Sequence, residues 1–134
     1  MKGCTVFKKV FVNGTFDVLH LGHLRMLNYA KSQGDTLLVA IDTDERVKLK
    51  KGNDRPFNNY EERKEFLLGL KAVDHVLNFE TDDDLKDIIK RYSPDLMIVG
   101  SDWKNGDVLG SEYAKRLEFF ERIEPYSTTR IINR

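Results

Sequence analysis

Two histidines three residues apart, His20 and His23, flank Gly22 in the segment 14–23 (GTFDVLHLGH). A β-type run ends just before this segment, and apolar spacing predicts a helix over about 21–33, so both histidines fall at a helix start. The backbone N–H groups and the dipole at that position favour a phosphate, to which imidazole can donate hydrogen bonds. Two other interpretations stay open: surface histidines that cap the helix, or a metal pair that lacks an evident third ligand.

Three consecutive hydroxyl side chains, Ser127, Thr128 and Thr129, open a predicted helix near the end of the chain. Such side chains cap helices, and together with the N–H groups of the first turn they would equally hold a β- or γ-phosphate. Between the two motifs lies a polar stretch, 42–59, which we interpret as a surface loop with a short helical turn. Its lysines are either a solvated charged surface or phosphate contacts.

The segments that must position these residues alternate between strand and helix. Apolar runs predict strands at 6–12, 36–41, 73–79, 96–99 and 118–123, and helices are predicted at 21–33, 60–70 (with Phe66, Leu67 and Leu70 facing inward), after Thr81, near 111–115 and from Ser127. This order predicts an α/β fold, a doubly wound parallel sheet of about five strands with helices on both faces. Because ligands of such sheets bind beyond the carboxyl ends of the strands, we expect four loops to meet at one edge: 14–23, 42–59, 100–110 and 125–129.

The composition is typical of one soluble globular domain over residues 1–134. Lys and Arg number 22, as do Asp and Glu, and a net charge of zero argues against nucleic acid as a partner. Cys4 is the only cysteine, which excludes an internal disulfide. No apolar run is long enough to span a membrane and no signal-peptide pattern opens the chain, so we expect a cytoplasmic protein without a membrane partner.

The GTFD segment followed by His20-Leu21-Gly22-His23, together with the distant Ser-Thr-Thr run, resembles the cytidylyltransferase-like nucleotidyltransferases, and the likeness extends over about 10–132. The resemblance implies a single Rossmann-like domain. It also implies transfer of a nucleoside monophosphate from a nucleoside triphosphate to a phosphorylated small molecule, with release of pyrophosphate and no covalent intermediate. Mg²⁺ is expected to accompany the triphosphate, without an assigned protein ligand. Small enzymes of this family are commonly homodimers.

The same resemblance implies roles for individual residues. Catalytic roles fall on His20, His23, Lys51 and Arg122. Residues implied to bind the nucleotide are Gly14, Thr15, Phe16, Lys48, Arg63, Ser127, Thr128 and Thr129. Those implied to serve the acceptor side of the pocket are Asp17, Lys71, Asp102 and Trp103, where Asp17 either orients a histidine or contacts the acceptor and Trp103 is a stacking wall.

Two branches of the family compete. Segments 100–104 and 122–129, together with Lys71, resemble glycerol-3-phosphate cytidylyltransferase, whereas segments 51–56, 78–82 and 110–112 resemble heptose 1-phosphate adenylyltransferase. We favour CTP and a polyol or sugar phosphate such as glycerol 3-phosphate, because the residues that resemble this branch lie in the presumed pocket. ATP with heptose 1-phosphate is the alternative. A catalytically silent nucleotide-binding module is a third hypothesis, but such a module would be expected to lack the histidines or the hydroxyl run.

Overall fold

A five-stranded parallel sheet forms the centre of the computed structural model, which describes residues 8–100 and 108–120. The strands are β1 (Lys9–Gly14), β2 (Thr36–Asp42), β3 (His75–Phe79), β4 (Leu96–Gly100) and β5 (Arg116–Phe120). Their order across the sheet is β3-β2-β1-β4-β5, and every neighbouring pair is parallel. The predicted α/β fold with a parallel sheet of about five strands is therefore confirmed.

Helices cover both faces of this sheet, as predicted. They are α1 (Leu21–Ser32), α2 (Asp44–Lys51), α3 (Tyr60–Leu68) and α4 (Asp82–Tyr92), and a short 3-10 turn follows at Ser111–Tyr113. Leu27 of α1 and Leu67 of α3 pack into the core on one face, whereas Leu85 and Ile89 of α4 pack into the core on the other. No helix among the described residues has both the length and the apolar character needed to cross a membrane.

Several local predictions need correction. The stretch 42–59 is not merely a loop, because it contains α2, eight residues long, whose first residues follow a Thr43 side chain that accepts a hydrogen bond from the Arg46 N–H. Its charged sequence resembles that of a loop, because only Arg46 and Val47 of the helix are buried. Phe66 does not face inward: it is 57% exposed, whereas Leu67 is fully buried. The helix expected near 111–115 is only a 3-10 turn, and the terminal helix from Ser127 lies outside the described residues.

The central strand β1 is where the strand order reverses. Gly14, at its end, pairs with Ile41 of β2, and on the other side Val12 pairs with Ile98 of β4. The connection after β1 leads through α1 to β2 in one direction across the sheet, whereas β4 and β5 lie in the other direction. In open α/β sheets the ligand crevice lies at such a point, beyond the carboxyl ends of the strands.

At the opposite edge, where the strands begin, an aspartate holds neighbouring backbone. The Asp95 carboxylate, one residue before β4, accepts hydrogen bonds from the N–H groups of Lys8 and Lys9 and forms a 3.1 Å ion pair with Lys115. The hydrogen bond from the Lys9 N–H, with further contributions from Lys115 and Lys8, lowers the pKa of Asp95 to about 2. The charged carboxylate therefore joins the starts of β1, β4 and β5.

We predict that Asp95→Asn lowers the free energy of unfolding at pH 7 by about 1–2 kcal/mol, because charge-assisted hydrogen bonds are lost. The folded-state pKa lies below the unfolded value, so this stabilisation is present above the ordinary aspartate pKa and is lost as the pH falls toward about 2. Urea unfolding of both proteins at pH 7, 4 and 2.5 should show the difference shrinking. Asp87→Asn, which removes an exposed ion pair to Arg91, is the control and should change little. Equal midpoints for Asp95→Asn and wild type at pH 7 would contradict the assignment.

Candidate active site

The first turn of α1 is closed by the two histidines of the motif. His20 is the N-cap residue, and its Nδ1 accepts a hydrogen bond from the Gly22 N–H at 3.1 Å. The His23 Nδ1 accepts one from the His20 N–H at 3.2 Å, so the pair forms a reciprocal capping box. The two rings are stacked, with centroids 3.8 Å apart and planes inclined by 23°. The capping interpretation from sequence is therefore confirmed as part of their role.

These backbone contacts fix which nitrogen carries hydrogen. Because Nδ1 is the acceptor in both rings, the hydrogen of the neutral imidazole must be on Nε2. Each half-buried ring is thus held as an Nε2–H donor, with its Nδ1 already committed to the backbone. Capping and phosphate binding are compatible, since they use different nitrogens of the same ring.

The start of α1 also keeps the positive end of its helix dipole. Its first turn has no acidic residue, whereas α2, α3 and α4 each have at least two there. An acidic side chain at that position would offset the dipole and compete with a bound anion. The motif therefore combines a helix dipole that no acidic side chain in the first turn offsets with two imidazole donors, at the carboxyl end of β1.

Phe16 packs against the same turn from the hydrophobic core. It is 4% exposed, has φ of 55° and lies in the core that includes Val12. Its ring is 5.1 Å from that of His23, and a Cβ at Gly14 would lie 3.1 Å from the ring of Phe16. A residue larger than glycine at position 14 would therefore press on the ring that supports His23. The side chain of Phe16 is a packing element of the site.

Asp17 is buried and holds a neighbouring loop. Its side chain is fully buried, and its carboxylate accepts hydrogen bonds at 2.8 Å from the N–H groups of both Phe57 and Asn58. The Arg55 guanidinium donates to the Asp17 carbonyl at 2.9 Å and lies 3.4 Å from the carboxylate. The described structure thus gives Asp17 protein partners in the stretch 55–58, in place of the open position expected of an acceptor contact.

Arg63 is also part of the scaffold. It is 1% exposed and donates to the carbonyl oxygens of Thr15 and Asn58, at 3.1 and 3.0 Å, and to Asp44 at 2.7 Å. A buried guanidinium with three protein partners holds the turn after β1, the loop before α3 and the start of α2 together. The described contacts of Arg63 are therefore with the protein itself, and one of them supports Thr15.

Lys48 and Lys51 lie in the last turn of α2, which follows the carboxyl end of β2. Lys51 is exposed as a residue, yet desolvation around its amine, and then the charge of Arg55, lower its pKa below the ordinary lysine value. Asp42 and Asp17 act in the opposite direction, so the amine lies within the electrostatic reach of the turn after β1. The charge of Lys51 thus interacts with Asp17, three residues before His20, and Lys48 in the same turn is also exposed.

The structure does not bring Lys71 to this edge. The residue is exposed in the turn between α3 and β3, because α3 returns the chain to the edge where strands begin. The Asp74 N–H there donates to the carbonyl of Leu37, near the start of β2. The expectation that Lys71 contacts substrate in the same pocket is not supported within one chain. The remaining predicted site residues, Asp102, Trp103, Arg122, Ser127, Thr128 and Thr129, lie outside the described residues.

Sequence reasoning missed Arg55 and Asp44 as members of this site. Neither residue is distinguished by the sequence motifs, yet Arg55 contacts Asp17 and Asp44 contacts Arg63. The sequence could have indicated them only indirectly. A buried charged residue such as Asp17 or Arg63 requires a partner of opposite charge, and the stretch 42–59 contains both partners. Within the described ranges, no three His, Cys, Asp or Glu side chains cluster in a way that could hold a metal ion.

Comparison with known proteins agrees with this geometry. The cytidylyltransferase-like family model matches residues 11–134. The bifunctional protein HldE of Helicobacter hepaticus is 44% identical over 125 residues, which are 93% of this chain and 26% of that protein. HldE of Nitratiruptor sp. is also 44% identical, over 93% of this chain and 27% of its own length. This chain therefore spans about a quarter of the length of these relatives.

A solved structure shares the fold over nearly its full length. The lipopolysaccharide core biosynthesis protein from Thermoplasma volcanium superposes with a TM-score of 0.70 at 25% identity, covering 88% of this chain and 99% of that one. The histidine-capped helix and the sheet, except for the first two residues of β1, fall within the region of the family match. From the motif, its geometry and this match together, we conclude that the chain belongs to the cytidylyltransferase-like family and is a nucleotidyltransferase.

Proposed function

We propose that this chain transfers adenylate from ATP to a sugar 1-phosphate of the heptose 1-phosphate class and releases pyrophosphate. The observation that carries the reaction class is the pair of Nε2–H donors, His20 and His23, held by the backbone at the start of α1. The acceptor phosphate oxygen forms a bond to the α-phosphorus as the bond from that phosphorus to the β-phosphate oxygen breaks. Charge on the phosphates is what the site must stabilise, and fixed donors do so without reorganisation.

The choice of nucleotide and acceptor rests on the relatives. Those with 41–44% identity are bifunctional proteins named HldE, and we assign them to the heptose branch that segments 51–56, 78–82 and 110–112 resemble. They favour ATP with heptose 1-phosphate, which was the alternative from sequence, over CTP with glycerol 3-phosphate, which was preferred. The name of the Thermoplasma protein, a lipopolysaccharide core biosynthesis protein, is consistent with a sugar-phosphate acceptor.

Mg²⁺ is proposed to arrive bound to the triphosphate. At this edge of the sheet the carboxylates of Asp17, Asp42 and Asp44 each pair with an arginine, so the described residues do not offer a ready set of oxygen ligands. Mg²⁺ typically keeps several waters and binds through substrate phosphates with few carboxylates, which suits this site. We further propose that Ser127, Thr128 and Thr129 hold the departing pyrophosphate, that Arg122 and Lys48 contact phosphates, and that Asp102 and Trp103 line the acceptor side.

Substrate identity is tested by pyrophosphate release from the purified chain with Mg²⁺. ATP, CTP, GTP and UTP are each combined with heptose 1-phosphate, glycerol 3-phosphate or no acceptor. We expect acceptor-dependent release with ATP and heptose 1-phosphate that exceeds every other combination. Preferential release with CTP and glycerol 3-phosphate would overturn the proposed substrates while keeping the reaction class. Nucleotide binding without release from any combination would favour the silent module.

The roles of the two ring nitrogens are separated by His20→Asn. Asparagine is a preferred N-cap residue, so its side chain keeps an acceptor for the Gly22 N–H but has no donor at the Nε2 position. We predict unfolding stability equal to or above wild type and a fall in kcat of roughly two to three orders of magnitude, the scale for one transition-state donor. We predict the same loss for His23→Ala.

The control for these variants is His75→Asn. His75 is exposed and is the first residue of β3, an outer strand of the sheet. This substitution should leave kcat unchanged. Wild-type turnover in His20→Asn and His23→Ala would show that the histidines serve only to cap α1.

Lys51 and Lys50 form a second matched pair on α2. The charge of Lys51 interacts with Asp17 in the turn after β1. Lys50 instead acts on Asp82, whose pKa is lowered first by its hydrogen bond with Arg46 and more weakly by Lys50. Loss of a cation beside the triphosphate weakens its binding, so we predict that Lys51→Ala raises the KM for the triphosphate about tenfold or more. Lys50→Ala should not. Steady-state kinetics measures both KM values. A triphosphate KM that is the same in Lys51→Ala as in Lys50→Ala would contradict a specific role for Lys51.

A further inference from the structure

The segment 52–59 lies between α2 and α3 and has no helix or strand of its own. Its position depends on contacts with the turn that follows β1. Three of these reach Asp17: the N–H groups of Phe57 and Asn58 donate to separate carboxylate oxygens, and the Arg55 Nη2 donates to the backbone carbonyl. A single buried aspartate therefore fixes the middle of the segment on both its backbone and its side chain.

A second contact joins the same two segments independently. The Arg63 guanidinium bridges the carbonyls of Asn58 and Thr15, so it binds one residue of each segment from within α3. Asp17 and Arg63 are both buried, and neither faces water that could replace a lost partner. The relative position of segments 14–17 and 52–59 is thus set by polar contacts inside the protein.

The contacts between these two segments also affect two cationic side chains, Lys51 and Arg55. Lys51 directly precedes segment 52–59, and its pKa is lowered by desolvation and by Arg55 while the charges of Asp42 and Asp17 oppose the shift. Arg55 itself is bound to Asp17, with its guanidinium 5.3 Å from the ring of Phe57. Movement of segment 52–59 would therefore displace Arg55 directly and Lys51 through the chain, relative to the histidines that begin three residues after Asp17.

We propose that Asp17 is a positioning residue for nucleotidyl transfer, which holds segment 52–59 so that Lys51 and Arg55 are aligned with the triphosphate bound at His20 and His23. This inference rests on the proposed function for its kinetic test. It differs from the two roles that the resemblance implies for Asp17, namely orienting a histidine or contacting the acceptor. Arg55 joins the site as a cation held in place by that carboxylate.

A carboxylate is specifically required for this role. Its two oxygens accept from adjacent amides at 2.8 Å, and its charge pairs with Arg55. Asparagine has the same shape but only one acceptor oxygen. Its NH₂ group is a donor and would face another donor, either an amide N–H or the guanidinium. Asp17→Asn should therefore release part of segment 52–59 while conserving side-chain volume.

The kinetic test compares Asp17→Asn with wild type and with Asp87→Asn, a control that removes the exposed Asp87–Arg91 pair on α4. We expect Asp17→Asn to raise the KM for the triphosphate and lower kcat/KM by about 10- to 100-fold, because small misplacements of positioned groups have effects on that scale. The KM for the acceptor should stay within twofold of wild type, and Asp87→Asn should match wild type in both. A rise confined to the acceptor KM would overturn the proposal and restore the acceptor contact.

Arg55→Gln provides a second variant that leaves Asp17 and its two amide partners in place. It should raise the triphosphate KM in the same direction. If Asp17 acts through segment 52–59, the double variant should be no worse than the more impaired single variant, because both substitutions remove one coupled unit. Additive losses would mean that the two residues act separately, which contradicts the proposal.

Hydrogen exchange tests the same inference without any turnover. In the substrate-free protein, the amides of Phe57 and Asn58 should exchange roughly tenfold or more faster in Asp17→Asn than in wild type, whereas amides of α4 should not change. Protected Phe57 and Asn58 amides in the variant would overturn the positioning role. Because this readout needs no substrate, it separates failure of this inference from failure of the proposed adenylyl transfer.

Discussion

The pairing of β1 along both of its sides is the constraint on which the site depends. β2 occupies one side and β4 the other, so the chain leaving Gly14 can continue only above the end of the sheet. There it forms the turn that contains Phe16 and Asp17 and then begins α1. The histidines thus lie beyond the carboxyl end of β1, at the reversal of strand order where open α/β sheets generally bind their ligands.

Around that crevice the supporting structure is polar, although most of the core is apolar. Asp17 and Arg63 are buried as deeply as the neighbouring leucines and valines, and each is satisfied by backbone groups from a different segment. Such contacts have direction, whereas apolar packing tolerates small shifts. Such contacts can therefore hold loops without regular structure at defined positions. Removal of one partner would leave the other as an unpaired buried charge, which is destabilising.

The sequence predicted the sheet, three of the four helices and the histidine motif, because apolar periodicity and turn residues report directly on burial and chain reversal. Where α2 forms, it predicted only a surface loop with a short helical turn, since that helix buries little and its charges resemble those of a loop. It also did not show that Asp17 and Arg63 bind other segments of the chain, or that Lys71 lies where the strands begin. A charged residue in a motif looks alike whether it meets substrate or another segment, and the difference depends on contacts such as that between Asp17 and Asn58, which are 41 positions apart.

His20 is the N-cap of α1 and is proposed to bind the triphosphate as well, and imidazole is not among the side chains that cap helices best. The first turn of α1 likewise lacks the acidic residues that stabilise the starts of the other described helices. The helix therefore begins less stably than a different sequence would allow. Selection for heat resistance alone would therefore favour substitutions in this turn, and under the proposed function such variants would gain stability and lose catalysis.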